Sequence, residues 1–370
     1  MKGIGKVLFF VSVCGAASLA AGGAPAAEKL VFRGASDASA AVAIGEDMFI
    51  VADDENNVLR VYGTGKAGSP VISYDLTAFL GIDPEYPEAD IEGATRIGSR
   101  IYWITSHGRN KDGKMRPNRY RFFATDVHVN DGSVTVRPAG EPCKTLVHEL
   151  LKTPTAGRLG LDRATRFGAD LKKKDREKLA PKEDGLNIEA LSGSPDGKTI
   201  YIGFRNPRVV DKASRGSRAI VVPLRNAGRV IERNQAPIFG EPMLWDLAGL
   251  GIRSMEYCRF GEAHLIVAGS SDGDDEYALY HWSGQRNAPP MKVGELDWDK
   301  SKFTPEALVP FENSGRFLLL SDDGSLRIKV SGPGDCLKGE YRDDGTCLNK
   351  YLLDPSKKTF RGIWLELPAR

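Results

Sequence analysis

Residues 90–110 read DIEGATRIGSRIYWITSHGRN, and residues 187–207 read NIEALSGSPDGKTIYIGFRNP. Each stretch begins with an acid or amide, an isoleucine and a glutamate, then passes through a turn into an aliphatic strand that leads to Arg-Asn. The unit recurs as ASAAVAIGEDMFIVADDENN, IRSMEYCRFGEAHLIVAGSSDG and PEALVPFENSGRFLLLSDDG. A pair of short strands that recurs about every 50 residues is typical of the blades of a β-propeller.

The turns inside these units carry residues that suit tight hairpins, because Gly, Pro, Asp and Asn favour the backbone angles of short turns. These turns are Gly45-Glu46-Asp47, Ser194-Pro195-Asp196-Gly197 and Asn313-Ser314-Gly315. Further β-rich runs follow most units, such as VLRVYG with VISYDL and AIVVPL with RVIERN. The pattern predicts five blades, near residues 34–80, 90–140, 187–235, 252–298 and 305–368.

The sequence therefore predicts an all-β protein, a β-propeller of five blades, and leaves six blades as the alternative. The segment KLVFRG (29–34) is expected to add an outer strand to the last blade and close the ring, which removes exposed sheet edges. A sixth blade would have to lie within residues 141–185. That stretch contains KTLVHELLKT and GADLKKKDREKL, whose helical spacing predicts a helical insertion between blades 2 and 3.

The N-terminus has the features of an export signal: two lysines, an apolar run and an Ala-Pro-Ala cleavage site at residues 24–26. We expect a signal peptide over residues 1–26, a single propeller domain over 27–370, and a periplasmic or secreted protein without a transmembrane anchor. The formal net charge of +2 falls to zero when the signal is removed, because that segment carries two lysines and no acid. A neutral chain does not favour nucleic acid as a partner.

Four cysteines follow the signal segment. In an oxidising compartment Cys336 and Cys347, which bracket a Gly- and Asp-rich loop, are expected to form a disulfide. For Cys143 and Cys258 two alternatives stay open, a second disulfide or two buried thiols. The chain has no C-x-x-C pair, so the sequence does not favour a structural zinc site.

The repeat also predicts where charged residues gather. In a propeller the first strand of each blade lines the central channel, and the second strand runs antiparallel beside it, so the start of the first and the end of the second meet at one mouth. Aligning the units places five residues at one equivalent position: Ser39, Glu92, Glu189, Arg253 and Glu306. A structural interpretation stays open, because charges that line a channel often balance one another.

Polar residues after the second strands complete the predicted site. The stretch SHGRN (106–110) stands out, because an imidazole, a guanidinium and an amide directly follow an apolar strand. A ligand set of Asp, Glu and Asn without paired histidines suits a hard cation, chiefly calcium, and the run DGDDE (272–276) resembles calcium loops in composition. The candidates are His107, Glu92 and Glu189 as catalytic residues, Arg109, Asn110, Arg205, Asn206, Arg253 and Glu306 as ligand-binding residues, and Asp53, Asp54 and Asp323 as metal ligands.

The segments SDASAAVAI, VADDENNVLRVY, ADIEGATRIGSRIYWITSHGRNKDGK, RPNRYRFFATDV and NIEALSGSPDGKTIYIGFRNP resemble the uncharacterised family catalogued as domain of unknown function 3616. The resemblance covers nearly the whole chain after the signal segment. It implies a propeller fold and no activity, since none is established for that family. More loosely, DIEGA and NIEALSGSPDGKTIY are similar to strand starts of phytase-like and esterase-like propellers, which implies calcium-dependent phosphoester hydrolysis as a hypothesis.

Two functional hypotheses follow. The first is an exported, monomeric propeller that binds a small anionic ligand, or a protein or glycan of the cell envelope, at its polar channel mouth. The absence of a recognised catalytic motif favours it. The alternative is a calcium-dependent phosphoesterase in which Arg109 and Arg205 clamp phosphate and His107 donates a proton. A purely structural propeller is a third interpretation.

Overall fold

The computed structural model describes residues 29–65, 67–130, 132–182, 184–211, 216–270, 276–295 and 303–367. The predicted signal peptide and its cleavage site lie outside the described residues, and so do residues 272–275 of the acidic run that resembles calcium loops. Their predicted roles stay predictions.

Five antiparallel sheets of at least four strands follow one another along the chain. The N-terminal strand is β1 (Lys29–Arg33). Blade 1 holds β2 (Ala40–Ala43), β3 (Met48–Ala52), β4 (Val58–Gly63) and β5 (Ile72–Asp75), and the short helix α1 (Thr77–Leu80) follows it. Blade 2 holds β6 (Ile91–Ile97), β7 (Arg100–Thr105), β8 (Phe122–Asn130) and β9 (Ser133–Cys143).

The helical insertion and blades 3 to 5 follow. The insertion contains α2 (Leu146–Leu151), α3 (Thr155–Leu159), α4 (Leu161–Thr165) and α5 (Lys173–Glu177). Blade 3 holds β10 (Asn187–Gly193), β11 (Ile200–Asn206), β12 (Val209–Asp211), β13 (Gly216–Leu224) and, after helix α6 (Ala227–Arg233), β14 (Met243–Trp245). Blade 4 holds β15 (Gly251–Cys258), β16 (Ala263–Gly269), β17 (Tyr277–Trp282) and β18 (Met291–Glu295). Blade 5 contains β19 (Pro305–Pro310), β20 (Arg316–Ser321) and β23 (Thr359–Glu366), with the small hairpin β21 (Arg327–Lys329) and β22 (Thr346–Leu348) between them.

The first strands of the blades form a closed ring. The strands β2, β6, β10, β15 and β19 each contact the next, and β19 contacts β2. Blade 5 has the order β1-β23-β20-β19, so the N-terminal strand supplies its outer edge, and β1 pairs antiparallel with β23. Both the five blades and the closure by residues 29–33 are confirmed. The alternative of six blades is wrong, because residues 146–177 fold as helices.

A separate hydrophobic layer fills each gap between neighbouring blades, because every sheet buries both faces. This explains why the second strands are aliphatic or aromatic along their whole length instead of alternating with polar residues. Representative pairs are Ile50 with Trp103, Phe122 with Phe204, Trp245 with Trp282, Val267 with Leu319, and Phe49 with Phe360.

One predicted strand is a helix. The run RVIERN was expected to pair with AIVVPL, but residues 227–233 form α6, and β14 takes the place beside β13. Val230 and Ile231 turn inward from this helix to join the layer between blades 2 and 3. Its two consecutive buried residues fit a helical face, which the β-branched composition of the run concealed.

Cys336 and Cys347 form the predicted disulfide, with their Cα atoms 6.1 Å apart. Cys143 and Cys258 are buried in different hydrophobic layers and are not bonded to each other. For this pair the alternative of two buried thiols is the correct one. Among the described residues, every helix is too short or too polar to cross a bilayer.

The closure of the ring can be tested at Phe32, which is fully buried among the rings of Phe49, Tyr62 and Phe360 at centroid distances of 5.1–5.4 Å. Phe32→Ala is expected to lower the free energy of unfolding by about 3–5 kcal/mol, because it empties this aromatic cluster. Urea unfolding measures the loss. Val31→Ala is the matched control, since Val31 lies on the same strand with 42% exposure and should cost about 0.5 kcal/mol or less. Equal effects of the two variants would show that β1 does not hold the ring closed.

Candidate functional site

A β-bulge recurs near the start of four inner strands. In β6 the strand pairing passes from Ile91 to Gly93 and leaves Glu92 out of the ladder. The equivalent residues left out of β10, β15 and β19 are Glu189, Arg253 and Glu306. A bulge redirects the side chain of its extra residue. Four of the five positions that the repeat aligns in sequence, all except Ser39, are therefore bulge positions, and the bulges direct their charges to one mouth of the channel.

Aspartates join the bulge residues at this mouth. We call the set the acidic mouth, and its members are Asp37, Asp54, Asp90, Glu92, Glu189 and Glu306. One oxygen each from Asp54, Asp90 and Glu92 lies within 4.8 Å of the other two, and the same holds for Glu92, Glu189 and Glu306. Calcium binds oxygen at about 2.3–2.6 Å, so oxygens this close can share one ion.

Two buried arginines neutralise one side of the acidic mouth. The Nη1 of Arg253 lies 3.2 Å from Oε2 of Glu189, and its Nη2 contacts Glu306. The Nη1 of Arg205 lies 2.8 Å from Oε1 of Glu189. Desolvation outweighs the attraction of Arg253 and raises the pKa of Glu306 to about 8. This side resembles a balanced structural network.

The other side lacks that balance. Within the part of the chain that the structure describes, Asp37, Asp54 and Glu92 form no ion pair with a lysine or arginine. Burial, followed by the neighbouring carboxylates, raises the pKa of each well above its ordinary value. The Oδ1 atoms of Asp37 and Asp54 are also buried without a hydrogen-bond partner among the described residues. Such groups are costly unless a ligand or proton compensates them.

Asp90 links the acidic mouth to an outer arginine. Its Oδ2 lies 2.8 Å from Nη1 of Arg119, which also contacts Glu88. Asp90 has a φ of +61°, a left-handed conformation that is uncommon outside glycine and that clusters at ligand sites. Its backbone oxygen accepts a hydrogen bond from the N–H of Ser106, at 2.9 Å, which ties the start of β6 to the end of β7.

The donors of the group Asp54, Asp90 and Glu92 fit a hard cation such as calcium. They are carboxylates only, they lie close enough to share an ion, and one arginine opposes three potential negative charges. The group Glu92, Glu189 and Glu306 fits less well, because Arg205 and Arg253 already occupy oxygens of Glu189 and Glu306. The first group is therefore the candidate cation site.

The structure directs the side chains of His107, Arg109 and Asn110 away from the acidic mouth. His107 is buried, packs edge-on against Tyr120, and has Nδ1 2.9 Å from the oxygen of Thr105, while desolvation lowers its pKa to about 4. The guanidinium of Arg109 donates to the oxygens of Gly113 at 3.0 Å and Thr165 at 2.9 Å. The side chain of Asn110 accepts from the N–H groups of Asp112 and Lys114 within its own turn. The helical insertion thus takes Arg109 as an anchor, which the sequence pattern alone did not indicate.

Three further predicted residues have structural partners in place. Asn206 donates to the oxygen of Pro181 at 2.8 Å. Asp53 accepts from the N–H groups of Ser36 and Glu55, so it caps its own turn. Asp323 accepts from Arg361 at 2.7 and 2.6 Å and from Ser321 at 2.8 Å. These contacts occupy the oxygens that metal binding would require, so the structure does not bring Asp53 or Asp323 into the cation site.

Sequence reasoning did not select Asp37, Asp90 or Arg119 as site residues. A signal for the first two exists, because Asp37 and Asp90 each stand two residues before the aligned position, as Asn187 does in blade 3. Arg119 carries no such signal, since it lies in the loop before β8 and reaches Asp90 only through the fold.

A Ser–His pair also escaped the sequence analysis. The Oγ of Ser192 lies 2.7 Å from Nδ1 of His264, and the imidazole packs against Tyr201, Tyr257 and Trp282. Both residues have 0% exposure, so a substrate has no access to them. The pair ties blade 3 to blade 4 in the interior.

The family model described as protein of unknown function (DUF3616) matches residues 161–313, from α4 to the first turn of blade 5. The match confirms the resemblance to this family over those residues. It includes NIEALSGSPDGKTIYIGFRNP, whereas the resembling segments of blades 1 and 2 lie outside it. No curated protein matches the chain.

Several solved structures are similar to the chain at low identity. The β-propeller domain of Cps50 (Swd1) from Myceliophteria thermophila is 9% identical, with a TM-score of 0.32, over 80% of this chain and 96% of that one. Glutaminyl cyclase from Myxococcus xanthus is 11% identical, with a TM-score of 0.39, over 79% and 92%. The PQQ-bound aldose sugar dehydrogenase from Streptomyces coelicolor is 8% identical, with a TM-score of 0.37, over 92% and 100%. At these TM-scores the similarities carry no argument, and the fold rests on the strand pairing.

Arg253 pairs with Glu189 and Glu306, so we expect its removal to lower stability by an amount that depends on pH. Arg253→Met should lower the free energy of unfolding by about 3 kcal/mol at pH 8, because it leaves Glu189 and Glu306 without their shared countercharge. The loss should be smaller at pH 5, where protonation of the carboxyls removes the need for a cation. Denaturant unfolding at both pH values measures it. Arg259→Met is the control, since Arg259 lies on the same blade, is mostly exposed and, within the described residues, pairs only with the exposed Glu312. A loss that is equal at the two pH values would contradict the pairing.

Proposed function

We propose that the protein binds a hard divalent cation, in the first instance calcium, at Asp54, Asp90 and Glu92, and through it a small anionic ligand. The observation that carries the proposal is the pair Asp54 and Glu92, two carboxylates at the acidic mouth that form no ion pair with a lysine or arginine among the described residues. A purely structural ring would be expected to balance these charges as it balances Glu189 and Glu306.

The coordination chemistry supports an exposed ligand position. Calcium takes about 6–8 oxygen ligands, and three carboxylates supply three to six of them. The remaining positions would face the mouth, where an anionic ligand can bind the cation directly. The side chains of Arg205 and Arg253 both contact Glu189 at this mouth. They therefore add positive charge that favours the anionic ligand.

The expected export of the chain agrees with this chemistry. A periplasmic or secreted protein meets free calcium, and extracellular calcium modules bind with Kd values of about 10⁻⁴–10⁻³ M. A site of three carboxylates with one opposing arginine fits that weak range better than it fits a high-affinity site.

The calcium-dependent phosphoesterase remains the second candidate, and it uses the same cation site. A bound divalent cation would polarise the ester and lower the pKa of a bound water. The phosphate-binding role predicted for Arg109 passes to Arg253, because Arg253 lies at the acidic mouth and the guanidinium of Arg109 does not. Burial raises the pKa of Glu306 to about 8. Glu306 therefore fits the role of proton donor better than His107, which is buried and neutral. Calcium-dependent turnover of p-nitrophenyl phosphate would distinguish hydrolysis from binding alone.

Calcium should raise the thermal midpoint of the chelator-treated protein. A ligand that binds only the folded state stabilises it by about 2.7 kcal/mol at 100 times its Kd. Asp54→Asn and Glu92→Gln should each remove most of the increase, because each deletes one charged ligand. Glu85→Gln is the matched control, since Glu85 is an exposed carboxylate in the segment that leads into β6. An unchanged midpoint in the parent protein, or equal increases in all variants, would refute the cation site.

Calcium affinity should increase with pH between 5 and 8. The raised pKa values of Asp54, Asp90 and Glu92 mean that folding favours their protonated forms, so in the absence of a cation their contribution to stability is complete below their ordinary pKa and is lost as pH rises through the raised folded values. Calcium requires the ionised form and releases these protons, which gives a slope of about one decade of Kd per pH unit for each proton released. Titration calorimetry in buffers of different ionisation enthalpy counts the protons. A Kd independent of pH would contradict binding at these carboxyls.

A further inference from the structure

The opposite mouth of the channel holds a second cavity, built from the hairpin turns of all five blades. Its volume is about 90 Å³, which is room for several waters or a ligand of a few non-hydrogen atoms. One residue of the lining comes from each blade in the series Ala43, Ile97, Ser194, Glu256 and Phe311. Between the two mouths the space narrows to about 10 Å³, the size of one water, among inner-strand residues that include Glu92 and Glu189 on one side and Glu256 on the other. A ligand in this cavity is therefore separate from the acidic mouth.

Glu256 lines this cavity, and one of its two carboxyl oxygens already accepts hydrogen bonds from the protein. Its Oε1 accepts hydrogen bonds from Oγ1 of Thr95 at 3.1 Å and from the N–H of Tyr257 at 3.0 Å. The Thr95 hydroxyl accepts from the N–H of Gly193 at 2.8 Å, which orients its own proton towards Glu256. The carboxyl is 91% buried, and its Oε2 has no hydrogen-bond partner among the described residues. The unsatisfied oxygen is the polar feature that a ligand would meet.

The hydrogen-bond arrangement sets the chemistry of that oxygen. Desolvation raises the pKa of Glu256 to about 8, so the group is mainly protonated at pH 7. Because Oε1 already accepts two hydrogen bonds, the proton belongs on Oε2, which then acts as a donor. A donor at the floor of a cavity selects a ligand with an acceptor oxygen.

Positive charge at the rim favours an anionic acceptor. Arg96 lines the cavity and is held there by hydrogen bonds to the oxygens of Gly98 at 2.7 Å and Ala43 at 3.2 Å. The other charged or titratable groups that face the cavity and its rim are Arg259, Glu312, Tyr257 and, in the adjoining groove, Glu46. Two arginines against one carboxylate at the cavity itself leave a positive balance while Glu256 is protonated.

The cavity continues into an open groove of about 340 Å³ between the turns of blades 1 and 5. The ring of Phe311 lines both spaces and gives them an apolar wall. We propose that this second mouth binds a small monocarboxylate, with its carboxylate between Glu256 and Arg96 and its apolar group along Phe311. The proposal does not depend on the cation site.

Benzoate and acetate test the proposal by saturation-transfer NMR and titration at pH 6.5. Benzoate should bind more tightly than acetate, because only benzoate reaches the apolar wall. Glu256→Leu should weaken benzoate binding about tenfold or more, since it removes the donor. Glu256→Gln keeps an N–H donor of similar shape, so it should retain binding. Glu85→Gln is the inert control.

The pH profile separates a ligand contact from a purely structural role of Glu256. In the parent protein benzoate affinity should fall as pH rises through 8, and in Glu256→Gln that decrease should be absent. Arg96→Met, which leaves Glu256 in place, should also weaken binding and serves if Glu256→Leu fails to fold. Absence of benzoate binding to the parent protein, or binding that Glu256→Leu and Arg96→Met leave unchanged, would overturn the proposal. A cation that binds here and is lost in Glu256→Gln would overturn it as well, since it would show that the ionised form is the functional one.

Discussion

The burial of like charges around the axis of the ring is the constraint on which the site depends. Bulges in four inner strands turn Glu92, Glu189 and Glu306, together with Arg253, into a space that is mostly closed to solvent. Buried carboxylates repel one another and lose hydration, so each must be paired, protonated or bound to a cation. Arg253, between Glu189 and Glu306, supplies the pairing on one side. Among the described residues Glu92 forms no such ion pair, which leaves a demand for a proton or a cation on the other side.

The small residues of the inner strands make this geometry available. Alanine fills three of the four positions of β2, and β6 and β10 each carry one alanine and one glycine, which lets the strands approach the axis closely and leaves little more than the volume of one water at the centre. A narrow centre divides the channel into two mouths with different chemistry. One mouth is lined mainly by carboxylates, and the other by Glu256, Glu312 and two arginines. The two proposed ligand sites therefore have opposite requirements for charge and pH.

The parts of the molecule that the sequence predicts are those encoded within a repeat. The turn residues, the aliphatic second strands and the aligned position of Glu92, Glu189, Arg253 and Glu306 all follow from local patterns, and each is found in the structure. The first strand, residues 29–33, could be placed in the last blade because a ring must close. The order of blades therefore required no long-range information beyond the number of units.

The roles that the sequence could not predict depend on contacts between distant segments. Arg109 follows an apolar strand just as a ligand-binding residue would, but the insertion supplies Thr165, 56 residues away, as its partner. Asp323 is saturated by Arg361, which is 38 residues away on β23. Helix α6 has a β-like composition, and only its packing between blades 2 and 3 explains its helical form. A single sequence records which groups are charged, but not which of them the fold has already neutralised.

This distinction separates structural from functional charge at the acidic mouth. Asp53 and Asp323 are buried more completely than Asp54, yet each accepts hydrogen bonds at both oxygens and therefore has little to gain from a ligand. Asp54 has an oxygen without such a partner, and Asp90 holds an uncommon φ of +61° that keeps it within reach of Asp54 and Glu92. A buried group without a partner destabilises the folded protein, and a change in local packing could remove that cost. Where the cost persists, a ligand is expected to relieve it. Function is indicated by the carboxylates that form no ion pair among the described residues, rather than by the number of acids at the mouth.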